Sequence, residues 1–112
     1  MLTIESLKSW GADTATGLDR CMNNEAFYLR MVGMAIRDAS FDQLKEAVEA
    51  GDLNRGFECA HALKGVMGNV ALEPIYQPIC KITELLRART DTDYSELLAG
   101  IMTERDKLIS LL

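Results

Sequence analysis

Apolar residues recur along this chain at the three- and four-residue spacing of helices, and alternating β-branched runs are missing. Asn23-Asn24 precede Tyr28, Met31, Val32 and Ala35, a helical face with a good N-cap ahead of it. Ser40-Phe41-Asp42-Gln43 reads as a capping box, with Phe41, Leu44 and Val48 on one face behind it. Gly51 ends that helix and Asp52 caps the next, which runs from Leu53 to Val70. Ile75, Ile79, Ile82 and Leu86 form another stripe, with Arg87 and Arg89 near its C-terminal end, where cations are favoured. Asp93 with Glu96 opens a last helix carrying Leu97, Leu98, Ile101, Leu108 and Leu112. Thr3–Ser9 and Asp13–Met22 read as one or two short helices packed on the rest. Pro74 fits a first helical turn, whereas Pro78 should kink its helix or delay its regular start to about residue 78. Short connections imply antiparallel neighbours. The expected fold is all-α: an up-down antiparallel four-helix bundle with one or two short extra N-terminal helices.

Size and charge narrow the functions open to such a bundle. At 112 residues the chain has room for one core, so residues 1–112 are expected to form one domain with no ATP-binding domain beside it. A net charge of −5 argues against binding nucleic acid by phosphate neutralisation. No apolar run reaches the ~18 residues of a membrane span. The N-terminus lacks the basic and apolar regions of a secretion signal, and the Met1 start favours a free-standing protein over a segment of a hybrid kinase. Cys21, Cys59 and Cys80 are an odd set without CxxC pairing, which suits reduced thiols in a cytoplasm. No phosphate-binding loop or dinucleotide fingerprint occurs. Asp91 to Glu96 resembles a calcium loop only superficially, because Glu96 stands where the tight turn needs glycine. No metal site is expected.

One place stands out. The single histidine, His61, lies in the middle of the Leu53–Val70 helix. At about 100° per residue, Cys59, Leu63, Val66 and Val70 fall on the opposite side, and Gly56, Ala60 and Met67 extend that apolar arc. His61 therefore points to solvent. Within about 60° of it lie Asn54, Phe57, Glu58, Lys64, Gly65, Gly68 and Leu72. A glycine inside a helix costs about 1 kcal/mol relative to alanine. Two on the solvent side need a reason, and access for another molecule supplies one: Gly65 and Gly68 would leave bare backbone running away from His61.

The run Ala60-His61-Ala62-Leu63-Lys64-Gly65-Val66-Met67-Gly68-Asn69 resembles the signature of histidine-containing phosphotransfer (HPt) domains, His-x-Leu-Lys-Gly followed by small residues. Gly11-Ala12-Asp13, Gly17-Leu18-Asp19-Arg20 and Ala50-Gly51-Asp52 are similar to further parts of that family. The family often has glycine ten residues after the histidine, where this chain has Ala71, and Pro78 is not part of its pattern.

The resemblance implies a carrier in a two-component phosphorelay. His61 would accept a phosphoryl group from a receiver-domain aspartate and pass it to another response regulator, with no turnover of its own. Lys64 would offer a cation to the phosphoryl oxygens. Gly65, Gly68, Phe57, Leu72, Asn54 and Glu58 would form the partner-facing surface, with Phe57 and Leu72 as apolar anchors and Asn54 and Glu58 at the rim. The chain would hold no cofactor, the Mg²⁺ being the receiver's. Expected partners are response-regulator receiver domains and a hybrid sensor histidine kinase, met by a cytoplasmic monomer without nucleic acid or membrane. Two other readings use the same residues. One is a helical interaction module that is never phosphorylated. The other is the dimerising hairpin of a sensor kinase, although there the histidine is usually followed by an acidic residue and Ala62 stands here.

Overall fold

The computed structural model describes residues 1–112 and is all-helical. Its seven helices are α1 (Ile4–Trp10), α2 (Thr14–Arg20), α3 (Glu25–Ile36), α4 (Ser40–Glu49), α5 (Leu53–Asn69), α6 (Glu73–Arg87) and α7 (Ser95–Ile109). That is one more than four plus two, because both N-terminal segments and α3 form separate helices. Side-chain caps set several of the starts by satisfying orphan N–H groups. Asp13, Asn24 and Asp52 accept from the backbone of Thr16, Phe27 and Arg55. Thr3 and Ser6 close a capping box at α1. The box expected at Ser40 does not form. Asp38, two residues earlier, accepts the Ser40 N–H at 2.8 Å, and α4 begins at Ser40 itself.

α5 is the central element, packed between α4 and α6, with α7 against α6. Its buried face is Gly56, Cys59, Ala60, Leu63 and Met67. Gly56 sits where three helices meet, its missing Cβ facing Leu86 at 3.4 Å and Val48 at 3.6 Å. Ile75, Ile79, Ile82 and Leu86 bring the α6 stripe wholly into the core. Each such side chain contributes roughly 1.5–3 kcal/mol by leaving water. α6 runs from Glu73 without the delay expected of Pro78, because Pro74 already occupies its first turn and Leu72 accepts the N–H groups of Ile75 and Tyr76.

The turn after α5 locks the N-terminal helices on. Val70 caps α5, and Ala71 takes a left-handed conformation, φ +57°. The Leu72 N–H then reaches back to the Met67 carbonyl, closing the helix end as a glycine usually would. An alanine thus closes this helix end in the left-handed region, at the steric cost a Cβ carries there. The Ala71 carbonyl accepts from Asp13 N–H at 3.0 Å, and the Val70 carbonyl from the Tyr28 hydroxyl at 2.9 Å. Burial pushes the Tyr28 phenol up to about 12, so the hydroxyl remains a donor throughout the neutral range. Trp10 Nε1 donates to Glu104 Oε2 of α7 at 2.9 Å. Residues 1–36 are therefore tied to the C-terminal end of α5 and to the C-terminal half of α7.

Candidate functional site

His61 lies on the exposed face of α5, opposite Cys59, Leu63 and Met67. The helix holds it rigidly, because the buried arc fixes the rotation of α5 and the Asp52 cap fixes its start. Lys64, one turn on, keeps a third of its side chain exposed and reaches within 4.0 Å of Glu84 on α6. Gly65 opens on empty space: nothing lies within 4 Å of where its Cβ would stand.

Gly68 is different, and here the expectation from the sequence is corrected. A Cβ at Gly68 would lie 2.9 Å from Cε1 of Tyr76, and the Gly68 carbonyl accepts a hydrogen bond from the Arg20 guanidinium. Gly68 makes room for an aromatic ring of α6, whereas Gly65 leaves the surface bare. Leu72 is also corrected. It is fully buried, because the left-handed turn at Ala71 reverses the chain and carries Leu72 into the core. It cannot form part of an exposed patch.

The remaining residues lie around the histidine. Phe57, half-buried one turn earlier, stacks on the His61 ring with centroids 5.6 Å apart and planes 23° from parallel. Asn54 is exposed and accepts from Arg89 Nε at 2.7 Å. Glu58 is exposed.

Two hollows flank the stripe. One, of about 420 Å³, is walled by His61, Lys64 and Gly65 together with Arg20, Thr16 and Tyr76. The second, of about 470 Å³, shares Gly65 and is lined by Met31, Met34 and Val66. Met34 is 61% exposed. Sequence reasoning missed Arg20, Tyr76, Met31 and Met34 as members of this face, since each comes from another helix. Only Arg20 carried a signal, inside the Gly17-Leu18-Asp19-Arg20 resemblance.

The exposed histidine thus has a cation one turn on, open backbone beside it and an apolar flank. Comparison with known families fits that geometry: the model of the Hpt domain matches residues 37–111, about two thirds of the chain. The chain belongs to the Hpt domain family. No curated protein and no solved structure matches it. Hpt domains serve histidine phosphotransfer in two-component phosphorelays, and the match spans α4 to α7, including all of α5 with His61. The helices before residue 37 lie outside the match, yet α2 supplies Arg20 and Thr16 to the hollow beside His61 in this Hpt domain. No helix is long and apolar enough to cross a membrane.

The two glycines should respond oppositely to substitution. Gly65→Ala is expected to stabilise the fold by up to about 1 kcal/mol, because it meets nothing and improves helix propensity. Gly68→Gln should lower the melting temperature, because the side chain must displace the ring of Tyr76. Thermal melts of both variants check this. Equal melting temperatures would mean that Tyr76 does not hold its place over Gly68.

Proposed function

We propose that this chain is a phosphocarrier in which His61 accepts a phosphoryl group from the aspartyl phosphate of a receiver domain and gives it to a second receiver. The single observation that carries the reading is the exposed His61 on a rigid helix, beside the open backbone of Gly65. An imidazole nitrogen with a free lone pair is a competent nucleophile near neutral pH. It attacks phosphorus, the N–P bond forms, and the P–O bond to the aspartate breaks with its electrons going to the leaving carboxylate. The return step runs the same bonds in reverse onto another carboxylate. Transfer of this kind rests on positioning and on charge around a loose transition state.

Lys64 supplies a cation to the equatorial oxygens, leaving its long pairing with Glu84 as the phosphoryl group arrives. The receiver brings Mg²⁺ and the other catalytic groups. Gly65 admits the receiver's loops to bonding distance, and the hollow lined by Met31, Met34 and Val66 gives them apolar surface to cover. Phe57, Asn54 and Glu58 border the same face. The up-down, antiparallel arrangement of α4 to α7 belongs to this proposal, as does a monomeric, cytoplasmic carrier that a hybrid sensor histidine kinase feeds through its receiver.

The test is transfer itself. The receiver domains of the same genome are phosphorylated with labelled acetyl phosphate, freed of donor and mixed with the purified chain. At least one should pass label to it as acid-labile, alkali-stable phosphate. If none does, the chain is a binding module and the proposal falls.

A further inference from the structure

An exposed imidazole on a helix is free to turn about both side-chain torsions, and a nucleophile that turns must be reoriented at each encounter. His61 is not free in this way. Helical side chains lean toward the N-terminus, so the ring lies over the preceding turn. There it meets Phe57, stacked at 5.6 Å and 23°. Phe57 is held in turn. The guanidinium groups of Arg87 and Arg89 lie 4.9 Å and 5.5 Å from its ring centroid. Arg87 is paired with Glu84 at 3.3 Å. Arg89 is the more tightly placed: its Nε donates to Asn54 Oδ1, and its terminal nitrogen donates to the Leu86 carbonyl. Its backbone is left-handed, φ +52°, a conformation that glycine adopts more readily than arginine. A strained arginine at the end of α6 thus reaches back to the first turns of α5 and covers the ring on which His61 rests.

We propose that Phe57 is a positioning residue for His61, and that Arg89 acts through Phe57 to keep the imidazole in one orientation. The inference rests on the reading of His61 as phosphoacceptor and adds to it an aromatic support. Phe57 then raises the rate of the bonded step, whereas a docking residue would raise the affinity for the receiver.

The experiment uses the full chain as wild type, Phe57→Leu, Phe57→Tyr and Arg89→Gly. Two phosphodonors are compared: a phosphorylated receiver that transfers to the wild type, and phosphoramidate, which is too small to dock. Because the chain has one histidine, the carbon-bound protons of its ring are identified without ambiguity in a proton–carbon spectrum. In Phe57→Leu these resonances should move downfield as the stacked ring current disappears. The saturating transfer rate and the phosphoramidate rate should both fall about tenfold, less than the roughly hundredfold cost of a full 1 Å misplacement, with the half-saturating receiver concentration unchanged. Phe57→Tyr should restore all three. Arg89→Gly fits φ +52° without strain, so it should melt no lower than wild type and still lose part of the rate.

Unshifted resonances in Phe57→Leu, a full rate at saturation, or failure of tyrosine to restore it would each overturn the proposal. So would a higher half-saturating concentration with the phosphoramidate rate intact, which would make Phe57 a docking residue. If Phe57→Leu fails to fold, Arg89→Gly decides the question: a full transfer rate and a full phosphoramidate rate in that variant would overturn the proposal. A wild type that no phosphorylated receiver and no phosphoramidate labels would refute the phosphoacceptor reading and the positioning role with it. A labelled wild type with an equally active Phe57→Leu refutes the positioning role alone.

Discussion

His61→Gln is expected to abolish acceptance of acid-labile phosphate while leaving the fold intact. The chain has no second histidine, so no other imidazole can take over. The side chain is exposed and makes no hydrogen bond, so the substitution removes only its stacking on Phe57. Exposed substitutions of this kind usually change stability by no more than about 0.5 kcal/mol. The measurement is labelling by a phosphorylated receiver beside a circular dichroism melt of the same preparation. Full loss of label with an unchanged melt is the expected pair. Label surviving on the variant would place the phosphoacceptor elsewhere.

Lys64→Ala should slow transfer without stopping it. One charge-assisted hydrogen bond is worth about 1.5–3 kcal/mol, and each ~1.4 kcal/mol is a tenfold change in rate, so a loss of roughly ten- to a hundredfold is expected. The fold should not suffer. The pair Lys64 makes with Glu84 is long, at 4.0 Å, and partly exposed. Such pairs contribute about 0–1 kcal/mol. Lys64→Arg keeps the charge and should recover most of the rate, and Glu84→Gln, which frees Lys64 while keeping an acceptor for Arg87, should not reduce it. Single-turnover mixing with one phosphorylated receiver measures all three. A wild-type rate in Lys64→Ala would make the lysine a bystander.

Local signals were legible where one helix decides the outcome. The Ile75, Ile79, Ile82 and Leu86 stripe is buried as its spacing requires, and Asn24 and Asp52 cap the helices they precede. The rotation of α5 followed from its own apolar arc, which placed His61 outward and Leu63 and Met67 inward. Val66, counted in that arc, is only half-buried, because it lines the hollow beside Met31 and Met34.

The failures occur where two elements meet or an element ends. Continuing the α5 rotation past Asn69 puts Leu72 outside, but the helix stops there and the left-handed Ala71 sends the chain inward. Gly68 looks bare on a helical wheel because no wheel contains the ring of Tyr76, which arrives from α6. Ser40 has the composition of a cap, yet α4 already includes it: the Gln43 N–H it would have capped bonds the Ala39 carbonyl, and Asp38 takes the N–H of Ser40 itself. Arg20 joins the site from a helix more than forty residues earlier, through a hydrogen bond to the Gly68 carbonyl that no local pattern encodes.

The central claim is that His61 carries phosphate between two receivers, and a chase experiment tests it most directly. The chain is labelled by one phosphorylated receiver, separated from it, and mixed with a second, unphosphorylated receiver of the same genome. Label should enter the wild-type chain to at most one phosphate per molecule, be absent from His61→Gln, and leave for the second receiver as its acid-stable, alkali-labile aspartyl phosphate. Label that enters the wild type but passes to no receiver, or that enters His61→Gln equally well, would contradict the account.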